Sequence, residues 1–493
     1  MSRYLYGAAI QGIQKYIFQT QKLKDIIGAS ELVKQLCDTV FENEFTKKAK
    51  GKTELIVHAA GNVKCIFDNK EDCERAVRLY PKRVMEKAPG VTISQAVVEM
   101  EGDYNHKDVE KLEGRLHAQR NRVYKSLTMG YLATERSRTT GLPAIPNKNN
   151  EFIDEGTLAK QEALHDYDVN RTLMKDLVGK EVKYEDIGLN TSDLTGQNDW
   201  IAIIHADGNG LGEVVAAIGK NEKGSALAEF SHNLDVATIA SANTAYQSIA
   251  EKNTKVKPIR PIVIGGDDLT VICRGDLAIP FVRAYLEAFE KESYEKTGHK
   301  LTACAGIAFV KSSYPFSFGY ELAEALCGEA KKDAKSDAMR TKDELKLAPS
   351  CLMFHKVQSS FVEDYNTIKK KELTPQKGHS LCFGPYYLKP EYIDPKERWT
   401  IDTLMDNAEL LSKEDNNSIK TSTRKWLSLM HEGTEVAKQH SERVHSLAST
   451  AQWSLYSSLT KGEERAEEGK KDKLYPAYDV LALHTIMNQK TKD

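Results

Sequence analysis

Residues 261–273, Pro-Ile-Val-Ile-Gly-Gly-Asp-Asp-Leu-Thr-Val-Ile-Cys, restrict the fold more than any other stretch of the chain. Two arms rich in β-branched residues flank a glycine pair and two acids, the composition of an antiparallel hairpin with a tight turn. The glycines supply the backbone freedom such a turn needs. They also let a phosphate approach the main chain, while adjacent carboxylates can hold a divalent cation, because Mg²⁺ takes oxygen ligands and commonly shares them with substrate phosphates. Glycine and aspartate are ordinary turn residues as well, so the tetrapeptide by itself reads as a surface hairpin.

Residues 200–212 supply a second acid-bearing strand end. Trp200-Ile201-Ala202-Ile203-Ile204-His205-Ala206-Asp207 reads as a buried strand, and Gly208-Asn209-Gly210 as a turn before an apolar helix. If this strand lies beside the hairpin, Asp207, Asp267 and Asp268 converge on one spot. Three carboxylates in one place can bind two cations, roughly 3.5–4 Å apart, which activate an attacking hydroxyl and stabilise a leaving pyrophosphate. That is polymerase or cyclase chemistry.

Asp207-Gly208-Asn209 together with Gly265-Gly266-Asp267-Asp268 and residues 301–308 resembles the palm domain shared by GGDEF-type nucleotide cyclases and the large polymerase-like subunit of type III CRISPR effectors. Residues 11–20, Lys22-Leu23-Lys24 and residues 27–32 are similar to the opening of the first palm of that CRISPR subunit, a segment GGDEF cyclases lack. The resemblance implies an α+β fold with two ferredoxin-like (RRM-like) palms and connecting and C-terminal helical regions. It also implies a nucleotidyltransferase that turns ATP into a cyclic oligoadenylate, or a related cyclic nucleotide, for antiviral signalling. In that reading Asp207, Asp267 and Asp268 hold two Mg²⁺ or Mn²⁺ ions. Gly265 and Gly266, with Gly208 and Asn209, let the nucleotide approach, and Lys331 neutralises its triphosphate. Gly28, Ala29 and Ser30, with Gly61 and Asn62, shape a second nucleotide site. The partners implied are a nucleoside triphosphate, guide RNA and effector subunits, with a homo-oligomer also open and no membrane. Two rivals stand beside it. One is a nucleotide-sensing or RNA-binding scaffold in which the acids are residual; the other is a GGDEF-like cyclase using GTP.

A chain of 493 residues holds two to four domains. The expected division is 1–100, a first palm without acids; 101–198, a helical and loop linker; 199–345, the second palm; and 346–493, mostly helical. In the first part, residues 55–67 repeat the outline of the acidic hairpin, between a helix at 70–85 and an earlier helix opened by Gly28-Ala29-Ser30. Ser30 reads as the N-cap of that earlier helix, which would leave main-chain N–H groups free for a phosphate. In the linker, a helical pattern at 107–132 precedes a loop at 143–154. Residues 135–136 and 140–144 resemble a family junction that often carries zinc-binding cysteines, which are absent here. The one His-Asp dipeptide, His165-Asp166, lacks the further ligands of an HD nuclease, so a form without that nuclease is expected.

Composition narrows the remaining classes. A formal net charge of −2 gives no global attraction to nucleic acid. The eight cysteines include no CxxC pair, which argues for reduced core thiols and against a zinc site or a disulfide framework. No signal-peptide pattern or apolar run of ~20 residues is present, so a cytoplasmic protein is expected. Toward the C-terminus, residues 461–473 read as an exposed mixed-charge linker, and Arg424-Lys425-Trp426 as a candidate contact for a partner.

Overall fold

The computed structural model describes the chain except residues 1–2, 60, 103, 123–133, 148–149, 166–172, 184–185, 196–198, 222–223, 251–256, 337–347, 360–362, 395–396, 468–469 and 488–493. It opens with β1 (Arg3–Gln11), a short α1 (Ile13–Ile17), α2 (Leu23–Gln35), β2 (Thr53–Ala59), β3 (Asn62–Phe67), α3 (Lys70–Lys87) and β4 (Thr92–Met100). The strands form an antiparallel sheet in the order β2-β3-β1-β4. Small and apolar residues run along β1 without polar alternation because both its faces are covered. Tyr6 packs with Phe41 and Phe67 on one side, and Leu5 with Leu112 and Leu116 of α4 (His106–Arg120) on the other. Asn69 and Asn105 cap α3 and α4 by accepting backbone N–H bonds.

Between the sheets lie β5 (Ala144–Pro146), β6 (Phe152–Asp154), α5 (Glu155–His165) and α6 (Leu173–Val178). The loop expected at 143–154 thus contains a small two-stranded sheet, tied down where Asp154 accepts from Thr140 and Thr157. The expected helix at 107–132 ends at Arg120; its later part, like Asp166 of the His-Asp dipeptide, lies outside the described residues.

The second sheet draws on β7 (Trp200–Gly208), β8 (Ile259–Gly265), β9 (Asp268–Arg274), β10 (Ala303–Lys311) and β11 (Cys351–Lys356). Helices α7 (Leu211–Asn221) and α8 (Gly224–Ile249) follow β7, α9 (Ala278–Thr297) follows β9, and α10 (Phe316–Ala334) follows β10. Pro280 is the third residue of α9, in the first turn, where a missing N–H breaks no helical bond. The order β8-β9-β7-β10 repeats that of the first sheet, strand for strand. Both units are βαββαβ, so the fold is two ferredoxin-like palms.

Beyond β11 come α11 (Tyr365–Lys371), β12 (His379–Ser380), β13 (Tyr386–Tyr387), α12 (Ile401–Ser412), α13 (Asn417–Glu432), α14 (Thr434–Leu447), α15 (Thr450–Thr460), β14 (Glu463–Glu467), β15 (Lys470–Leu474) and α16 (Ala477–Met487). The charged stretch expected to be an exposed linker is the β14–β15 hairpin, paired to β12. Its anchor is Arg465, which is 3% exposed and donates to the carbonyls of Gly384 and Glu397 at 3.1 and 3.0 Å. All eight cysteines are buried free thiols. Among the described residues no helix is long and apolar enough to cross a membrane.

The palms meet through α1 and α2. Gln14 donates to the Tyr320 hydroxyl at 2.7 Å, Gln21 accepts from the Phe316 N–H at 2.8 Å, and Phe18 stacks on Tyr320 with ring centroids 4.1 Å apart. Helix α2 begins at Leu23, so Gly28, Ala29 and Ser30 are buried in its interior and do not open it. Their N–H groups belong to the helical ladder, which removes the expected phosphate-binding N-terminus. Ser30 donates instead to the carbonyl of Ile262, at the irregularity that β8 makes between Pro261 and Val263. Gly28 is there because α2 and α5 touch backbone to backbone: a Cβ would run into the Lys160 carbonyl. Gly28→Ala should therefore lower unfolding free energy by about 3 kcal/mol in denaturant titration, the upper range for overpacking, although alanine favours helix.

Candidate active site

Pairing of His205 with Thr270 and of Ala206 with Leu269 carries Asp207 to the position beside Asp268. On the far side of β9, Asp268 pairs with Gly265 and closes a two-residue turn. Its first central residue, Gly266, has φ 61°, as a type II′ hairpin requires. Helix α8 holds the turn from outside: Asp235 accepts from the Gly266 N–H at 3.0 Å, and Thr238 donates to the Gly266 carbonyl at 2.5 Å. Gly208 lets the turn close on β7, since a Cβ there would lie 2.9 Å from the Asp267 Cβ and 3.3 Å from its Oδ2. From the other direction α10 brings Lys331, which donates to Asp207 and, at 2.9 Å, to the Gly208 carbonyl.

The carboxylates crowd one another. Burial, then the charges of Asp268 and Asp207, pushes the Asp267 pKa up to about 7. Burial and Asp207 push Asp268 up to about 6 against the opposing pull of Lys331. Burial disfavours the Lys331 ammonium, but the Asp207 hydrogen bond and charge more than offset it, and its pKa is raised. His205, with Nδ1 3.2 Å from the Thr270 hydroxyl, is pushed down to about 4 by burial and is neutral at pH 7. One ligand atom each from His205, Asp207 and Asp268 lies within 4.8 Å of the others, a grouping that can hold a metal ion.

These shifts fix a pH dependence. Both carboxyls bind protons more tightly folded than unfolded, so the folded state carries more protons between the ordinary aspartate range and about pH 7. Without metal, the contribution of these two groups to stability is complete below pH ~4 and is lost as pH rises through about 6 and 7. Chemical denaturation in EDTA should show that fall, and Asp267→Asn, Asp268→Asn should flatten it.

Comparison with known proteins places this sheet. The family described as Cas10/Cmr2, second palm domain, matches residues 200–340. The chain carries a Cas10/Cmr2 palm. Its whole fold is similar to crystal structures of a Csm1–Csm4 cassette. The one in complex with cA3 has a TM-score of 0.57 at 14% identity and covers 99% of this chain and 70% of that one. The apo cassette has 0.56 at 13% (98% and 69%), and the one in complex with one ATP has 0.54 at 14% (99% and 70%). No curated protein matches the chain.

Within the Cas10/Cmr2 palm, Asp207, Asp267, Asp268, Gly208, Gly265, Gly266 and Lys331 come together as the sequence suggested. Asn209 does not join them. Its side chain is 1% exposed and donates to the Thr302 hydroxyl at 3.1 Å and the Ala348 carbonyl at 3.3 Å, which ties the end of β7 to neighbouring loops. Gly28, Ala29 and Ser30 lie in the buried interior of α2. Gly61 and Asn62 form the β2–β3 bend, where Gly61 has φ 79° and accepts from the Ile10 N–H at 2.8 Å. The residue the sequence reading missed is His205. Strand alternation could have found it, because two residues before Asp207 is the same face of β7.

Proposed function

We propose that the chain is a metal-dependent nucleotidyltransferase that joins or cyclises nucleoside triphosphates, with ATP the favoured substrate, to make a cyclic oligoadenylate or related signal in CRISPR-type defence. A ribose hydroxyl would attack an α-phosphate and pyrophosphate would leave. The observation that carries this is the convergence of Asp207, Asp267 and Asp268 at the mouth of a tight glycine turn, with Lys331 bonded to Asp207.

The residues fit divalent cations: crowded carboxylates that hold protons near neutrality are the oxygen donors a dication would satisfy. Bound Mg²⁺ or Mn²⁺ would supply the activation of the hydroxyl and the neutralisation of phosphate charge. Asp207, Asp267 and Asp268 would hold the ions, with neutral His205 at the edge as a nitrogen donor better suited to Mn²⁺ than to Mg²⁺. Gly265 and Gly266 present main chain without side chains to the nucleotide. Lys331, already a cation beside Asp207, supplies charge for the triphosphate. Gly61 and Asn62 would border the second nucleotide, with Gly28, Ala29 and Ser30 acting one layer behind by seating α2 on β8 and α5. Support comes from the relatives of the same fold, Csm1–Csm4 cassettes in complex with cA3, with pppApApA and with one ATP. An effector-subunit partner and guide RNA belong to the same proposal.

Incubation with each of ATP, GTP, CTP and UTP, with Mg²⁺ or Mn²⁺ and product identification by mass spectrometry, tests it. Linear or cyclic oligoadenylates from ATP are expected. A product from GTP alone would indicate a GGDEF-like cyclase. Tight nucleotide binding without product would indicate a sensor or scaffold.

A further inference from the structure

Strand β11 ends at Lys356, whose side chain enters a cavity of about 400 Å³ between the sheet end, α13 and α16. Lys356 is 8% exposed. Its Nζ lies 4.8 Å from the centre of the Trp200 ring, and among the described residues no carboxylate stands within ion-pair distance of it. The stem of Lys356 is buried, while its ammonium, with a ring face beside it, reaches the solvent of the cavity and is open to an anion.

The surroundings add a further cation, Arg424, and hydrogen-bonding side chains. Arg424, Ser428 and His431 follow at helical spacing along α13 and line the same cavity. Gln358, which donates to the Tyr478 hydroxyl at 3.1 Å, and Thr485 of α16 supply neutral hydrogen-bonding groups. The lining holds one acid, Glu372, and burial followed by the charge of Glu363 pushes its carboxyl pKa up, toward the neutral form. Burial, then Lys311 and Arg424, pushes Lys356 down to about 8. His484, on the neighbouring turn of α16, is pushed down to about 4 by burial and then by Lys420, Arg424 and Lys356. Every cation facing this space raises the cost of the others, and an anion would relieve them all.

We propose that this cavity is a phosphate site, with Lys356 at its floor and Arg424 and His431 at its rim, that takes inorganic phosphate, pyrophosphate or the phosphate of a mononucleotide. Arginine and lysine together match that chemistry, and the volume is that of a small-molecule site. The site is independent of the acidic cluster on β7 and β9. Its charge has the opposite sign, so it needs no metal. The arrangement gives Arg424-Lys425-Trp426 a divided role: Arg424 faces the cavity, whereas Trp426 is core, against Tyr475.

The test uses the full chain in EDTA, which silences metal-dependent binding at the acids. Phosphate, pyrophosphate and AMP are titrated separately, against chloride at equal ionic strength. Mass spectrometry reads the acylation rate of Lys356, and a thermal melt reads stability. Protection of Lys356 and a raised melting temperature are expected, with apparent affinity about tenfold weaker in Arg424→Gln, the loss of one charge-assisted contact. Arg424 is exposed, so this variant keeps the fold; Lys356→Met should abolish the melting response. A response to AMP well above that to phosphate assigns a mononucleotide, and the reverse assigns the free anion. Equal protection by chloride, protection unchanged in Arg424→Gln, or binding of an RNA oligomer alone would overturn the proposal.

Discussion

Replacing Asp267 and Asp268 together by asparagine should give a protein that melts higher than the parent without metal and transfers nucleotides roughly a thousandfold more slowly, about 4 kcal/mol of transition-state stabilisation. Both effects have one cause. Burial and the mutual repulsion of the acids hold the two carboxyls at about 7 and 6, so at pH 8 the parent carries charges its fold disfavours. Asparagine keeps the shape and removes the charge. The same charge is what would bind cations, and its loss removes the proposed chemistry. Calorimetry in EDTA and initial rates with Mn²⁺ measure the two halves. A variant that melts lower would mean that the acids are held by partners; one that transfers at the parental rate would place the chemistry elsewhere.

Gly306→Ala should destabilise the protein by about 3 kcal/mol or more and weaken triphosphate use, although the residue touches none of the acids. Helix α10 crosses β10 so closely at Gly306 that a Cβ would run into the Ala323 carbonyl and the Cys327 N–H. Backbone cannot step aside as a side-chain tip can, so the helix itself must move. Lys331 lies on that helix, one turn beyond Cys327, and would be drawn from Asp207. Gly328→Ala is the control. Nothing lies within 4 Å of a Cβ there, and alanine for glycine in an exposed helix should stabilise by about 0.5–1 kcal/mol. Urea titration of both variants gives the two signs, and KM for ATP should rise only in Gly306→Ala.

The acidic hairpin was legible because its information is local: β-branched arms, a glycine pair and two acids define strand, turn and tip without help from the rest of the chain. Asp207 was legible for the same reason, as an acid ending an apolar strand before glycines. The doubled palm could be read from two hairpins of the same outline. Long-range demands hid the rest. Gly28 looks like the start of a helix because glycine weakens helix interiors, yet it sits inside α2 to admit the Lys160 carbonyl. The β14–β15 hairpin reads as a linker because its charged residues lack an apolar face, and what fixes it is a buried Arg465 reaching carbonyls far away in sequence. Asn209 resembles a site residue by position, but its amide is committed to Thr302 and Ala348, contacts no local pattern announces.

The most direct test of the central claim is pyrophosphate released per ATP consumed, with Mn²⁺ present and with EDTA in its place. The account predicts release in step with ATP loss when metal is present, and none in EDTA. Release that persists in EDTA, or ATP bound tightly in Mn²⁺ with no pyrophosphate formed on addition of target RNA and effector subunits, would contradict it.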